Sequence, residues 1–250
     1  MPMNAEIRPI KESELKEYVD AVNRGFGADT EDGQSERVAK LTDLNRCFGA
    51  FDSAAVDGTA NDDTRIVGTI GSYSFPLAVP GSTDVQAAGL TRVTVSASHR
   101  RQGILRALMD AHFKDAADHG EPVSVLWASE VPIYGRFGYG LATEMLSMSF
   151  DARLAAITRP ENPDTLDQVN SEEAAKLLPD IRERTRIDRP GKFGRSPAWW
   201  QERNFADPES WRSGASARRY VVASRGGEPV GYATYRHRER WTDALSLIHI

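Results

Sequence analysis

The chain is short of several things, and each shortage excludes something. It has a single cysteine, Cys47, so no disulfide can form within it. It has no apolar run approaching the ~18 residues needed to cross a bilayer, which argues against a membrane-spanning role. It has no surplus of positive charge: 31 Lys and Arg stand against 36 Asp and Glu, a formal net charge of -5, unlike the surface of a nucleic-acid binder. A small cationic ligand suits that balance better. The five histidines, His99, His112, His119, His237 and His249, show no metal-ligand spacing to Cys47 or to clustered carboxylates, so no metal is expected. The opening stretch "MPMNAEIRPIKESELKEY" has no apolar signal-peptide core, and the expected compartment is the cytoplasm.

What remains is an ordinary globular composition, 40% hydrophobic and 27% charged. At about 100 to 200 residues per domain, the length suits one large core or two modest ones. "AEIRPI" reads as a strand and "KESELKEYVDAVNRGFG" as a helix, with Leu15, Tyr18, Val19 and Val22 on one face. "SERVAKLTDLN" predicts a second, short helix. "RCFGAFD" and "TRIVGTIGSYSFPLAV" predict an antiparallel pair joined by the polar loop "SAAVDGTANDD". "GSTDVQAAG" then reads as a loop, "LTRVTVS" as a strand, and "GILRALMDAHFKDAADH" as a helix stopped at Gly120. "VSVLWAS" is a continuous apolar run and predicts a central strand covered on both faces. "VPIYGRFGYG" predicts a short helix or turn, and "TEMLSMSFD" a closing strand. Residues 1–151 therefore form one α/β domain.

Residues 152–169, with two prolines and little periodicity, are expected to link it to a second module at 170–250. There "SEEAAKLLPDIRERTR" predicts a helix N-capped by Ser171, and "SPAWWQERNF" one opening at Ser196 with Pro197 in its first position. "RRYVVASRGGEPVGYATYRHRER" predicts two strands around an "RGGEP" turn. Their order of strand, turn, Val-Gly and strand repeats that of "RCFGAFD" with "TRIVGTIGSYSF", which indicates an internal structural repeat. Trp199, Trp200, Trp211 and Trp241 are expected to pack this module. The second copy stops where the first proceeds to its phosphate turn, and the final "LSLIHI" follows "RERWTD" without turn chemistry, so a truncated second domain is expected.

The stretch "VTVSASHRRQGILRAL" places a β-branched run directly before a basic turn and a helix. A helix N-terminus leaves its first amides unpaired and carries partial positive charge, which suits a phosphate. Arg100, Arg101 and Gln102 occupy the turn, and Gly103 removes the Cβ at the point of closest approach. Neither a dinucleotide-type Gly-x-Gly-x-x-Gly nor the Gly-Lys-Ser/Thr of a nucleoside-triphosphate loop is present. A basic turn that merely caps the helix is the plain alternative.

"VTVSASHRRQGILRALM" resembles motif A of the GCN5-related N-acetyltransferases, and "ASEVPIYGRFGYG" resembles a segment of their Eis-type aminoglycoside acetyltransferases. The resemblance covers mainly residues 88–150. It implies that superfamily's fold, a mixed and mostly antiparallel sheet with flanking helices, and acetyl-CoA as co-substrate. Val93, Thr94 and Val95 would bind the pantetheine arm through their backbone, and Arg100, Arg101, Gln102, Gly103, Ile104, Leu105 and Arg106 the phosphates. Leu105 departs from the Gly or Ala frequent there in the superfamily. Ser129 and Glu130 would lie beside the CoA arm, although Glu130 is equally placed to cap the next helix.

The resemblance further implies acetyl transfer to a polycationic amine such as an aminoglycoside, with Tyr134 as general acid. The alternatives are a peptide lysine as acceptor or a CoA-binding module without turnover. Phe137 and Tyr139 are expected to be core aromatics, and His99, His112 and His119 surface or loop residues. The family's base is a C-terminal carboxylate after a third domain, and no residue here matches it. A homo-oligomer, up to a hexamer, is implied for the full-length protein.

Overall fold

The computed structural model describes residues 5–52, 65–144, 146–149, 164–242 and 245–249. The chain divides into two compact units, residues 1–79 with 83–140, and 80–82 with 141–250. The expected loop at 53–63 lies outside the described residues.

The first unit is built on a five-stranded sheet of order β1-β2-β3-β4-β5. β1 (Ala5–Pro9), β2 (Cys47–Asp52), β3 (Arg65–Val79) and β4 (Thr83–Val95) pair antiparallel in sequence order, and β5 (Val123–Leu126) joins β4 in parallel. That parallel step needs a crossover, which α3 (Ile104–Asp118) supplies. On β3, Ile66 to Tyr73 are buried without interruption, so both faces of the sheet are covered there. One apolar cluster gathers Tyr18, Val19 and Val22 of α1 (Leu15–Phe26) with Val38 of α2 (Gln34–Leu41), Phe51 and Ile66. The other gathers Ile104, Leu108 and Met109 of α3 with Ala50, Val67, Ile70 and Leu90.

Three expectations for this unit change. "GSTDVQAAG" is largely strand: from Thr83 onward it extends β4, because the long β3 offers a continuous partner from Val79 back to Phe75. "VSVLWAS" is not central. β5 is four residues long, half-buried, and the last strand of its sheet among the described residues. The closing strand expected over 143–151 is absent from 141–144 and 146–149. Leu146 and Met148 keep the alternation but are 82% and 79% exposed, so the pattern finds no neighbour to pack on among the described residues.

A buried ionic cluster ties the helical crossover to the sheet. Arg46, 3% exposed, donates from Nε to Asp115 Oδ2 at 2.8 Å and from its two Nη atoms to the Glu121 carboxylate at 2.9 and 2.6 Å. Ser74 donates to Glu121 and accepts from Arg46 at 2.7 Å. Burial opposes the Arg46 charge, yet the Glu121 and Asp115 carboxylates raise its pKa above the ordinary value. Burial likewise opposes ionisation of Glu121, and Arg46 with Ser74 outweighs it and lowers that pKa.

The second unit has its own three-stranded antiparallel sheet, β6-β7-β8: Thr165–Val169, Arg219–Arg225 and Glu228–Tyr235. β6 falls within the expected linker, of which 152–163 lie outside the described residues; pairing with β7 orders a segment that periodicity alone leaves blank. α5 (Ser171–Arg186) is capped by Asn170, which accepts from the Glu172 and Glu173 amides while Glu173 reaches back to the Asn170 amide, so Ser171 is inside the helix and not its cap. Ser196 does cap α6 (Pro197–Trp199), with Pro197 behind it, and a π-helical stretch Trp200–Phe205 continues it. Ala174, Leu178, Ile181, Trp200, Tyr220 and Val222 form the core. β9 (Arg238–Thr242) and β10 (Leu245–His249) make a separate antiparallel pair, so "LSLIHI" is largely strand. No helix among the described residues is long and apolar enough to cross a membrane.

Glu121→Ala leaves the Arg46 charge buried beside one carboxylate instead of two, and the expected loss is about 3–5 kcal/mol, read as a lower urea midpoint for the first unit.

Candidate functional site

β4 and β5 are paired only from Ala87↔Val123 to Leu90↔Leu126. Beyond Leu90 they part, while β3 keeps its hold on the opposite edge of β4 as far as Gly68↔Val95. The edge of Thr91–Val95 that would have met β5 therefore opens into a cleft of ≈1010 Å³. A register shift between Thr69 and Gly71 marks the same place, where Arg92 takes φ 55. Thr94 is buried with its Oγ1 2.7 Å from Thr69 Oγ1. α1 crosses so near that a Cβ on Gly25 would lie 2.5 Å from Thr94 Cβ. Val93, Thr94 and Val95 all border the cleft, and the Thr94 side chain faces Thr69 and α1.

The floor of the cleft is the turn from β4 into α3. Arg101 and Gly103 both have positive φ, 63° and 89°. No side chain caps α3 at Gly103, and the Ala107 amide is the one bonded back to Gly103 O, at 3.1 Å. The earlier amides are left for a ligand. Arg100, Arg101, Gly103, Ile104, Leu105 and Arg106 line the cleft, whereas Gln102 does not; its Nε2 donates back to Ser98 O at 3.4 Å. Ile104 is itself a core residue, 1% exposed, so its contribution is backbone. His99 is half-buried in the turn between β4 and α3, a loop position as expected. Its Nε2 is 2.9 Å from Asp52 Oδ2 and its Nδ1 2.9 Å from Ser98 Oγ, which anchors the turn to the end of β2.

The facing wall carries Ser129, Glu130, α4 (Val131–Tyr134) and the 3-10 turn Gly135–Phe137. Glu130 is at the N-cap position of α4 but makes no side-chain cap bond. Tyr134 is half-buried, and among the described residues its hydroxyl has no hydrogen-bond partner. Burial, and then the Glu130 charge, raise its pKa, so it holds its proton at neutral pH. Phe137 both packs on the core and lines the cleft. Tyr139 is core-facing as expected and meets the Tyr134 ring edge-on at 5.9 Å.

Behind this wall runs a buried polar chain. His112, fully buried on α3 and not a surface residue, has Ser72 Oγ 2.7 Å from Nδ1 and Ser124 Oγ 2.8 Å from Nε2. Ser124 Oγ is 2.5 Å from the Tyr139 hydroxyl, whose pKa is pushed up to about 12 by burial. Burial lowers the His112 pKa to about 4, so the imidazole is neutral. His119 is about half exposed, with Nδ1 2.8 Å from Asp115 O.

Arg92, Gly25, Phe26, Trp127, Ile133 and Arg136 line the cleft without any sequence expectation. Arg92 donates to Thr42 Oγ1 at 3.0 Å and to the Tyr73 hydroxyl at 2.8 Å. With Arg100, Arg101, Arg106 and Arg136 exposed against one carboxylate, Glu130, the lining is cationic within a chain of net charge -5, while the Arg92 guanidinium is turned to Thr42 and Tyr73. Such a cleft suits a ligand with several phosphate charges and an extended arm. No cluster of His, Cys, Asp and Glu suited to a metal ion occurs among the described residues.

A family model described as "Acetyltransferase (GNAT) domain" matches residues 6–142, and a second model of the same description matches 191–249. An uncharacterized N-acetyltransferase of Streptomyces coelicolor is 38% identical over 250 residues, 96% of this chain and 57% of that protein. N-acetyltransferase Eis of Mycobacterium bovis is 44% identical over 96 residues, 38% of this chain and 24% of that protein. The crystal structure of Eis1 from Mycobacterium abscessus superposes with a TM-score of 0.70 at 30% identity, over 93% of this chain and 54% of that one. The chain thus spans little more than half the length of these broader matches.

Gly103→Ala places a Cβ in open space but at φ 89, a strain of about 1–2 kcal/mol. The expected result is CoA affinity about tenfold weaker by calorimetry. The His112 pKa is depressed on folding, so its stabilisation is complete above the unfolded value of about 6.5 and is lost as pH falls toward about 4. About 2 kcal/mol should disappear between pH 7 and pH 5, and urea titrations of His112→Gln should lack that slope.

Proposed function

The chain belongs to the GNAT acetyltransferases and is Eis-like among them, and we propose that it transfers the acetyl group of acetyl-CoA to an amine of a polycationic small molecule such as an aminoglycoside. One observation carries this reading: the open edge of β4 runs straight into an uncapped helix N-terminus, with Tyr134 on the facing wall.

Acetyl-CoA supplies an activated acetyl thioester. The free edge at Val93–Val95 can take the amide-bearing pantetheine arm as an added strand. The amides at the start of α3 receive the pyrophosphate, which the left-handed Gly103 lets approach the backbone, and Arg100, Arg101 and Arg106 offset its charge. Ser129 and Glu130 stand beside that arm. As the amine adds to the thioester carbonyl and the C–S bond breaks, the nitrogen gives up its proton to solvent water, the departing thiolate takes one from the Tyr134 hydroxyl, and water returns a proton to the tyrosinate. A phenol at pKa ~10 or above gives its proton to a thiolate of conjugate pKa ~8.5 uphill. Hydrogen-bond stabilisation of the thiolate is therefore as much the role of Tyr134 as full transfer. Its raised pKa keeps it a donor. No described residue is assigned as the base.

The acceptor class is supported by charge. Gly25 and Phe26 line the cleft, and the chain leaves them through Asp29, Asp32 and Glu36, a segment that attracts cationic amines, while Glu31 is paired with Arg37. We assign residues 1–151 to the acetyl-CoA domain, 152–169 to a connection that includes β6, and 170–250 to a second acetyltransferase-like domain. A cytoplasmic homo-oligomer completes the proposal.

The test is CoA release from acetyl-CoA with a kanamycin-type acceptor. Tyr134→Phe is expected to lower kcat by about 10²-fold or more and to leave acetyl-CoA binding by calorimetry unchanged. Turnover with basic peptides alone would move the acceptor to protein lysine. Binding without turnover on any amine would reduce the chain to a CoA-binding module.

A further inference from the structure

The second unit has a cleft of its own, ≈310 Å³, between the end of α5, the loop that follows it and the start of β8. We infer that it binds a phosphate-bearing small molecule. Four of its nine lining residues are cations: Arg182, Arg186, Arg189 and Lys192. Arg186 is 4% exposed and directs Nε and Nη2 to Glu183 Oε1, at 2.8 and 2.6 Å. The other three have no carboxylate partner among the described residues.

Arg182 is in the less comfortable position. It donates from Nη2 to Phe193 O at 3.1 Å, but its Nε is buried without a hydrogen-bond partner. Arg195 shares that condition, its Nε also buried and unpartnered. The two guanidinium groups lie 5.7 and 5.9 Å from the same Phe193 ring. Burial, and then the Arg182 charge, lower the Arg195 pKa, as expected where two like charges crowd without an anion between them. A buried donor left without an acceptor is costly, and an anion beside Arg182, which lines the cleft, offsets the crowded charge.

A structural role explains only part of the cluster. Cations in the last turn of a helix balance its carbonyls, which accounts for Arg184 and Arg186. Arg182 lies a turn earlier, and Arg189 and Lys192 come after the helix. Both of the latter are exposed and make no ion pair among the described residues. Three convergent cations match a phosphate better than a single carboxylate. The volume exceeds that of one phosphate, and Tyr232 with Val230 supplies an apolar wall for an organic group.

Calorimetry on the whole chain with inorganic pyrophosphate tests this. Two classes of site are expected, one in each unit. Arg189→Glu with Lys192→Glu, both exposed positions, should weaken one class by about tenfold or more; Arg100→Ala with Arg101→Ala should weaken the other. AMP in place of pyrophosphate separates the sources: tighter binding at the second-unit site identifies a nucleotide-like occupant, weaker binding an inorganic one. A single class abolished by the Arg100/Arg101 variant, or pyrophosphate binding indifferent to Arg189→Glu/Lys192→Glu, would overturn the inference.

Discussion

Once β4 leaves β5 after Leu90, the backbone groups along that edge from Thr91 to Val95 must be met by water or by a ligand. The gap cannot close by a swing of the strand. β3 holds the other edge through Val95, the bulge fixes Arg92, and α1 bears down on Thr94 at Gly25. The same strand then delivers the chain into the turn before α3, so the open edge and the unpaired helix amides share one line. A molecule with an amide-bearing arm and a pyrophosphate satisfies both.

Arginine serves three ends in this chain, and the surroundings decide which. Arg46 is enclosed by two carboxylates and a hydroxyl, and it joins the β2 entry to α3 and the segment after it. Arg100, Arg101, Arg106 and Arg136 are exposed and face a space with little opposing charge, which makes them available to a ligand. Arg182 and Arg195 sit between these cases, half-buried against the Phe193 ring, each with its Nε unpartnered. A net charge of -5 conceals all three arrangements, because it sums over separations much longer than the contacts that matter.

Local features are the readable ones. The phosphate turn shows in sequence because a left-handed residue before a helix calls for glycine, and Gly103 stands between a β-branched run and an amphipathic one. The Asn170 cap is equally local, and its Glu173 three residues on is the signal that favours it over Ser171. His112 carries a readable signal too: it continues the stripe of Leu108 and Met109 at helical spacing, which places it inside. The parting of β4 and β5 is not readable, since it depends on where β5 ends relative to a strand over thirty residues earlier. Nor is the polar chain from Ser72 to Tyr139, whose members come from β3, α3, β5 and the segment after α4. β4 itself is longer than its apolar residues suggest because β3 provides a partner for the polar Thr83–Gln86 stretch.

Cys47 has one more consequence. The only thiol in the chain is fully buried, and burial raises its pKa, so almost none of it is thiolate at neutral pH. Disulfide-exchange dyes therefore find no accessible sulfur on the native protein, and any signal they give in its presence reports free CoA. A cysteine introduced on the surface would be the sole point of attachment for a fluorophore or spin label, so the chain comes already suited to site-specific reporters without removal of its native thiol.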